Sequence, residues 1–263
     1  MTAPKLADLR PEYEGLFNGC IVTKPVPVQE VIEEILSNRA RYETVAQTSA
    51  VPWYVVAVIH NMECSLSFKQ HLHNGDPLKK RTVNVPAGRP PGWDGTGTWE
   101  KSALDALSYD NLTSWADWSI AGICYKLEGY NGWGYRGHGI HTPYLWSFTN
   151  QYTSGKYVAD GVWSESAVSD QCGCATLLRR FAEMGEVRFA DQPPIKPDMP
   201  TPVRYSKARP IDPVEVAAAK TLQQWLSNFS GVFLAVDGIA GDRTSDAFKL
   251  VTGHYLVGDP RAE

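Results

Sequence analysis

Residues 52–68 read "PWYVVAVIHNMECSLSF", an apolar run that ends in a glutamate, Glu63. How this run folds decides the class of the chain. Its β-branched residues suit a buried strand, whereas Pro52 at a first-turn position and the spacing of Val55, Ile59 and Met62 suit a helix. The helix is the expectation taken forward. Ionised carboxylates are costly to bury, so one at the end of such a segment either reaches the surface or is held for chemistry.

The chain around this run has 263 residues, 43% hydrophobic and 11% aromatic, which suffices for one good core and a second small one. A formal net charge of −4 gives no basic field of the kind that nucleic acid or an anionic membrane requires. The opening "MTAPKLADLRPEYEGLF" is not a basic segment followed by an apolar one, and no apolar run reaches the length of a membrane span. The expectation is a monomer made in the cytoplasm, without stable membrane insertion, that reaches any target in the cell wall by a release route other than a signal peptide. Cys20, Cys64, Cys124, Cys172 and Cys174 are an odd set that indicates no disulfide framework.

Composition shifts at residues 191–213, "DQPPIKPDMPTPVRYSKARPIDP", which hold seven of the 18 prolines. This reads as an extended, semi-stiff linker of polyproline type, so three parts are expected: a large domain over 1–190, a linker over 191–213 and a small domain over 214–263. In the large part, Val28, Val31, Ile35 and Leu36 are spaced as one amphipathic helix along "PVQEVIEEILSNRARYETVAQ". Helices are also expected in "EKSALDALSY", in "SWADWSIAGICYKLEGYNGWGYR" up to Gly129, in "TPYLWSFTNQY" and in "SAVSDQCGCATLLRRFAEMG". The Gly- and Pro-rich stretch at 78–99, "LKKRTVNVPAGRPPGWDGTGTW", reads as a hairpin or irregular excursion. The fold class is mainly α with a small β-hairpin.

A helix ending in Glu63 followed by a small residue and a serine, then a β excursion, then a helix leading into "GYN" at 129–131, resembles the lysozyme superfamily, which includes goose-type lysozymes and soluble lytic transglycosylases. "LEGYNGWGYR" and "HLHNGDPL" are similar to segments of bacterial and phage lysozyme-family proteins. The likeness spans roughly residues 28–184. It implies a lysozyme-like domain in which Glu63 is the general acid and Tyr130 and Asn131 line a sugar cleft.

The chemistry agrees with that role. Protonating a glycosidic oxygen near neutral pH needs a carboxyl whose pKa is raised, and an apolar wall such as Ile59, Met62 and Phe68 raises it by desolvation. A glycosidase also uses a second carboxylate, to activate water or to attack. Asp76 is the first candidate by chain order and Glu100 its rival, although an acid in a first helical turn is also what a helix dipole selects. Sugars stack on aromatic rings and need polar partners, which Tyr130, Asn131, Trp133, Tyr135 and Tyr144 supply, with Trp146 equally suited to core packing and His71 to a sugar hydroxyl.

The C-terminal part places Ala218, Leu222, Trp225 and Leu226 on one helical face ahead of "VDGIAGDRT" at 236–244. Gly238 and Gly241 permit a tight loop there and Thr244 can cap the next helix. "LQ" followed by "VDGxxGxxT" resembles a small three-helix peptidoglycan-binding module. With the lysozyme likeness it implies an endolysin-like muramidase that cleaves the β-1,4 bond between N-acetylmuramic acid and N-acetylglucosamine and gains effective concentration on the wall from its tethered module. A lytic transglycosylase using the same Glu63, and a non-catalytic wall-binding phage structural protein, remain alternatives. No cofactor is expected. Zinc held by His60, His71, His73, His138 or His141 with a cysteine lacks the HExxH or paired CxxC spacing such sites show, and a Cys64 nucleophile with His60 or His71 leaves Glu63 unexplained.

Overall fold

The computed structural model describes residues 3–159, 161–189, 200, 203–229 and 231–262. It is mainly helical with one small two-stranded antiparallel sheet, the class expected from the patterning. Two compact units are present: residues 1–14 with 22–178, and residues 15–21 with 179–263.

The first unit contains α2 (Pro25–Ser37), α3 (Arg39–Ser49), α4 (Trp53–Cys64), α5 (Trp99–Tyr109), α6 (Ile120–Asn131) and the short α7 (Pro143–Trp146), with β1 (Lys156–Ala159) and β2 (Val162–Ser164). Two further helices, α1 (Leu6–Asn18) and α8 (Cys174–Met184), contribute residues to both units. The run at 52–68 is helical, and every residue from Val55 to Asn61 is buried. A helix apolar on all sides has no solvent face, so it becomes the centre of the core rather than its edge. Each fully buried Val or Ile there stabilises the fold by about 1.5–3 kcal/mol. Pro52 sits at the N-cap position, with φ −54°, one place earlier than expected. Helix α3 packs against both α4 and α5.

The single helix expected along 27–47 is two, divided at Asn38, whose side-chain amide donates to the Glu34 carbonyl at 3.0 Å. Its buried stripe is Val28, Ile32 and Ile35, while Val31 and Leu36 lie only half-buried. Helix α6 continues past Gly129 to Asn131, and the "TPYLWSFTNQY" segment is helical for four residues only. No strand forms in 78–99; Pro86, Pro90 and Pro91 supply no N–H for a ladder, and the segment is instead knotted by Thr82, whose amide donates to the Arg89 carbonyl at 2.8 Å and whose carbonyl accepts from Gly88 at 2.8 Å. The hairpin lies later, in β1 and β2, paired Lys156 with Ser164 and Tyr157 with Trp163.

The second unit holds α9 (Pro213–Leu226) and α10 (Asp242–Thr252) around a core of Leu222, Leu226, Phe229, Leu234, Phe248 and Leu256. Residues 214–263 thus contain two helices among the described residues, where three were expected. Phe17, Phe189 and Phe233 meet edge to face at 5.1–5.6 Å. Of the expected linker, residues 191–199, 201 and 202 lie outside the described residues. Residues from 203 onward are part of this unit: Val203 and Tyr205 pack on its core, and the Tyr205 and Ser206 amides donate to the Val257 and Ala240 carbonyls at 3.0 Å. Among the described residues no helix is long and apolar enough to cross a membrane.

Candidate active site

Helix α4 ends in a left-handed turn. Ser65 and Leu66 have φ of 45° and 60°, and their amides return to the Asn61 and His60 carbonyls at 3.1 and 3.3 Å. Two consecutive non-glycine residues in this region are strained, by about 1–2 kcal/mol each. The loop that follows closes on the same turn through Gly75, at φ +76°, where a Cβ would stand 2.7 Å from the Glu63 carbonyl oxygen. The end of α4 is thereby fixed, and with it Glu63.

Glu63 is half-buried as a residue. Burial pushes it up from 4.5 to about 7; the Asp110 charge pushes the same way, and a hydrogen bond from Tyr144 opposes both. Its place in the last turn of a helix, where the dipole is negative, disfavours the charge further. The Tyr144 hydroxyl donates to Oε1 at 2.9 Å. Tyr144 is held in turn: Thr142 caps α7 with its Oγ1 accepting from the Tyr144 amide at 3.3 Å, and the Asn131 amide donates to that same Oγ1 at 3.0 Å. The Tyr130 ring stacks on Tyr144, with centroids 6.5 Å apart and planes 24° from parallel. Tyr130 and Asn131, expected to line a cleft, therefore both bear on Glu63 through Tyr144.

Asp110 was not anticipated. It follows Tyr109 at the end of α5, whose closing turn is of Schellman type: Asn111 is left-handed at φ 56°, the Asn111 amide donates to the Ser108 carbonyl at 3.1 Å, and the Leu112 amide to the Leu107 carbonyl at 2.9 Å. Burial raises the Asp110 carboxyl above its ordinary range, while the nearby Tyr130 hydroxyl, which donates to the Leu72 carbonyl at 3.3 Å, and the Lys126 charge oppose the rise. Lys126 Nζ lies 3.4 Å from the Asp110 and Asn111 carbonyl oxygens. Asparagine after an acid at the end of an apolar helical pattern is a readable stop signal, but nothing in it announces that the acid's charge bears on Glu63.

The two carboxylates expected to assist Glu63 are committed elsewhere. Asp76 accepts the Val83 and Asn84 amides at 2.7 and 2.9 Å and the Asn84 side chain at 2.6 Å, tying residues 74–76 to 82–84. Desolvation raises its carboxyl, but these bonds outweigh it and hold the group below its ordinary value. Asp76 is a loop clamp in place of a water-activating base. Glu100 pairs with Arg41 Nε at 2.6 Å, and here too partner bonds override burial to lower the carboxyl. His71, expected to reach a sugar hydroxyl, is fully buried, with Nδ1 2.6 Å from Ser102 Oγ and Nε2 donating to the Lys80 carbonyl at 2.6 Å. Phe68 packs with Tyr42, His60 and Trp99, and Trp146 is core. Tyr135 supports the hairpin, its ring set edge-on to Tyr157 and Trp163 and its hydroxyl accepting the Tyr157 amide at 3.4 Å.

The remaining histidines and thiols show structural environments. His60 is buried, lowered to about 4 by desolvation, and its Nδ1 lies 3.0 Å from the Tyr42 hydroxyl. His73 pairs with Asp105 at 2.9 Å. All five cysteines are buried; burial and the Glu63 charge push the Cys64 thiol up to about 12, far from the thiolate a nucleophile needs. Among the described residues no group of three or more His, Cys, Asp or Glu side chains is disposed to hold a metal.

In the second unit the residues of "LQ" and "VDGxxGxxT" form one network. Gln223 is buried; its Nε2 donates to Asp237 Oδ1 at 2.7 Å, the Ile239 carbonyl at 3.0 Å and Thr244 Oγ1 at 3.2 Å, and its Oε1 accepts the Gly238 amide at 2.9 Å. Gly238 has φ +81°, with Val216 Cγ1 2.8 Å from where a Cβ would stand. Thr244 does not cap α10, a position taken by Gly241, but sits in its first turn and donates to the Ile239 carbonyl at 3.2 Å. Beside this network a cavity of about 380 Å³ is lined by Arg180, Glu183, Lys207, Asp237, Asp242 and Arg243 among others. No protein-family model, curated protein or solved structure matches this chain.

Proposed function

We propose that this chain is a peptidoglycan hydrolase: a lysozyme-like glycosidase that cleaves the β-1,4 bond between N-acetylmuramic acid and N-acetylglucosamine, with Glu63 as general acid and water as nucleophile. One observation carries the reading. A carboxyl on a half-buried residue at the end of a core helix, raised to about 7 and oriented by a tyrosine, is a proton donor ready near neutral pH. The sequence likeness of "ECS" and "GYN" to the lysozyme superfamily supplies the substrate class. The second unit, with its glutamine-organised glycine loop and the charged cavity beside it, serves as the wall-binding module.

The test is digestion of purified wall sacculi by the wild type and by Glu63→Gln, with the soluble muropeptides identified by mass spectrometry. Reducing muramic-acid ends that vanish in the variant are the expected result. Anhydro-muramic ends would instead assign a lytic transglycosylase. Undiminished release by the variant would remove Glu63 from the chemistry, and sacculus binding without any release would leave a wall-binding protein.

A further inference from the structure

We propose that the second unit grips the stem peptides of the wall in a cavity lined by residues 203–211, the first turns of α9 and Ala240, with Arg204 and Arg209 as the partners of the peptide carboxylates. The inference rests on the wall-binding reading above and names the part of the polymer that the module recognises.

The cavity measures about 480 Å³, within the roughly 300–1,000 Å³ of small-ligand sites. Its wall is apolar and methyl-sized: Ala219 and Ala240 are buried and Ala218 is half-buried, so larger side chains at these positions would fill it. Ile211, which also lines it, is fully exposed, an apolar side chain with no cover of its own. The segment that carries the arginines is fixed by its backbone. The Tyr205 and Ser206 amides donate to the Val257 and Ala240 carbonyls at 3.0 Å, and Ser206 Oγ closes the turn that follows, donating to the Ala208 carbonyl at 2.8 Å and accepting the Ala208 amide at 3.3 Å. The Arg204 guanidinium lies against Gly258, with Nη2 3.4 Å from where a Cβ would stand on that residue.

Charge selects the occupant. Both arginines are exposed, and among the described residues no ion pair or hydrogen bond engages either guanidinium. One acid, Glu215 in the first turn of α9, lines the same cavity. The cavity beside Gln223 differs in this respect, because its cations are already engaged: Lys207 by Asp242 at 2.9 Å, Arg180 by Glu183 at 3.3 Å and Arg243 by the Ala182 carbonyl at 3.2 Å. Two open guanidinium forks and one carboxylate beside a methyl-lined wall fit a ligand with small side chains, at least two carboxylates and an amine. A stem peptide has that make-up, since its alanines flank an acidic and a diamino residue, whereas the glycan strand presents mainly neutral hydroxyls and amides. A planar guanidinium meets a carboxylate through two parallel hydrogen bonds, a match that a hydroxyl does not reproduce.

Calorimetric titration of the full chain with the free tetrapeptide L-Ala-γ-D-Glu-meso-diaminopimelate-D-Ala, and with its lysine counterpart, tests the site. Cosedimentation of the full-length Glu63→Gln chain with purified sacculi tests the wall-binding reading separately. The wild type is expected to bind at least one of the two peptides, less tightly as salt rises, and to bind the fully amidated peptide and inorganic phosphate roughly tenfold more weakly or worse. Arg204→Gln and Arg209→Gln are each expected to weaken peptide binding roughly tenfold. Ala218→Leu, which fills the cavity and leaves its charge alone, is expected to weaken it as well. Should Arg204→Gln or Ala218→Leu lower the melting temperature, Arg209→Gln decides, since Arg209 is exposed and its side chain carries no internal bond. Absence of peptide binding, equal binding of the amidated peptide or of phosphate, or an Arg209→Gln chain that binds as wild type would overturn the assignment. If the chain sediments with sacculi while one of those results holds, only the peptide site fails; if it does not sediment, the wall-binding reading fails with it.

Discussion

Two buried polar centres, one in each unit, are built on opposite rules. At Gln223 every polar atom of the side chain has a partner, among them the Asp237 carboxylate, the Thr244 hydroxyl and two backbone groups, and four hydrogen bonds close a glycine loop around it. At Glu63 an ionisable group has a single phenol donor and a like-charged neighbour, on a helix end whose turn is strained. The first arrangement lowers the energy of one conformation. The second holds a group away from its preferred ionisation state, and such costs are typical of groups kept for chemistry. The contrast teaches which buried polar residues to suspect: those that are under-partnered.

Substitutions at both centres break or sharpen that contrast. The largest expected effect is on turnover: Glu63→Gln is expected to reduce muropeptide release by about 10³-fold, with the thermal midpoint held or raised because glutamine keeps the Tyr144 bond without the buried charge. Gln223→Ala is expected to do the reverse, destabilising the second unit by about 3 kcal/mol, since it leaves the Gly238 amide and its neighbours unpaired in a buried place; urea unfolding followed by Trp225 fluorescence measures it. Next comes pH. Because the folded value of Glu63 lies above its unfolded one, its contribution to stability is complete below about 4.5 and is lost as pH rises through about 7, by up to about 3 kcal/mol. His60, kept neutral down to about 4, acts with the opposite sign between 4 and 6.5, so the difference between wild type and Glu63→Gln in urea midpoints at pH 5 and pH 8 isolates the glutamate. Gly75→Ala is expected to cost about 2 kcal/mol, from its positive φ and the contact with the Glu63 carbonyl, and to lower turnover as well as the melting temperature. The smallest effect belongs to Tyr144→Phe, about 1 kcal/mol: losing that bond is expected to move the Glu63 midpoint, and with it the alkaline limb of activity, upward.

Much of this was readable from the chain. The apolar run at 52–68 announced a buried segment with a glutamate at its end because nothing in it offered a solvent face, and Pro52 with the Val55, Ile59, Met62 spacing turned the choice between strand and helix toward the helix that forms. The loop at 236–244 announced itself because glycines at fixed offsets are a local, backbone-level requirement. The Asp110 charge that bears on Glu63 was not readable, since it depends on where α5 stops, a matter of tertiary packing. Asp76 misled for the same reason: order along the chain suggested a partner for Glu63, whereas its hydrogen bonds run to residues 83 and 84. Within the proline-rich stretch, Val203 and Tyr205 pack on the core of the second unit, a contact that composition does not announce.

The Tyr144 bond makes the Glu63 carboxyl asymmetric. A protonated carboxyl has one carbonyl oxygen and one hydroxyl, and the phenol selects Oε1 as the acceptor. The acidic hydrogen is then confined to Oε2 and leaves along one direction, whereas an unbonded carboxyl would offer two. Handedness enters the site through that single hydroxyl: on the proposed glycosidase reading, a substrate would be protonated from one side only, and a chain threaded in the opposite polarity would present its bridging oxygen to the wrong oxygen of the acid.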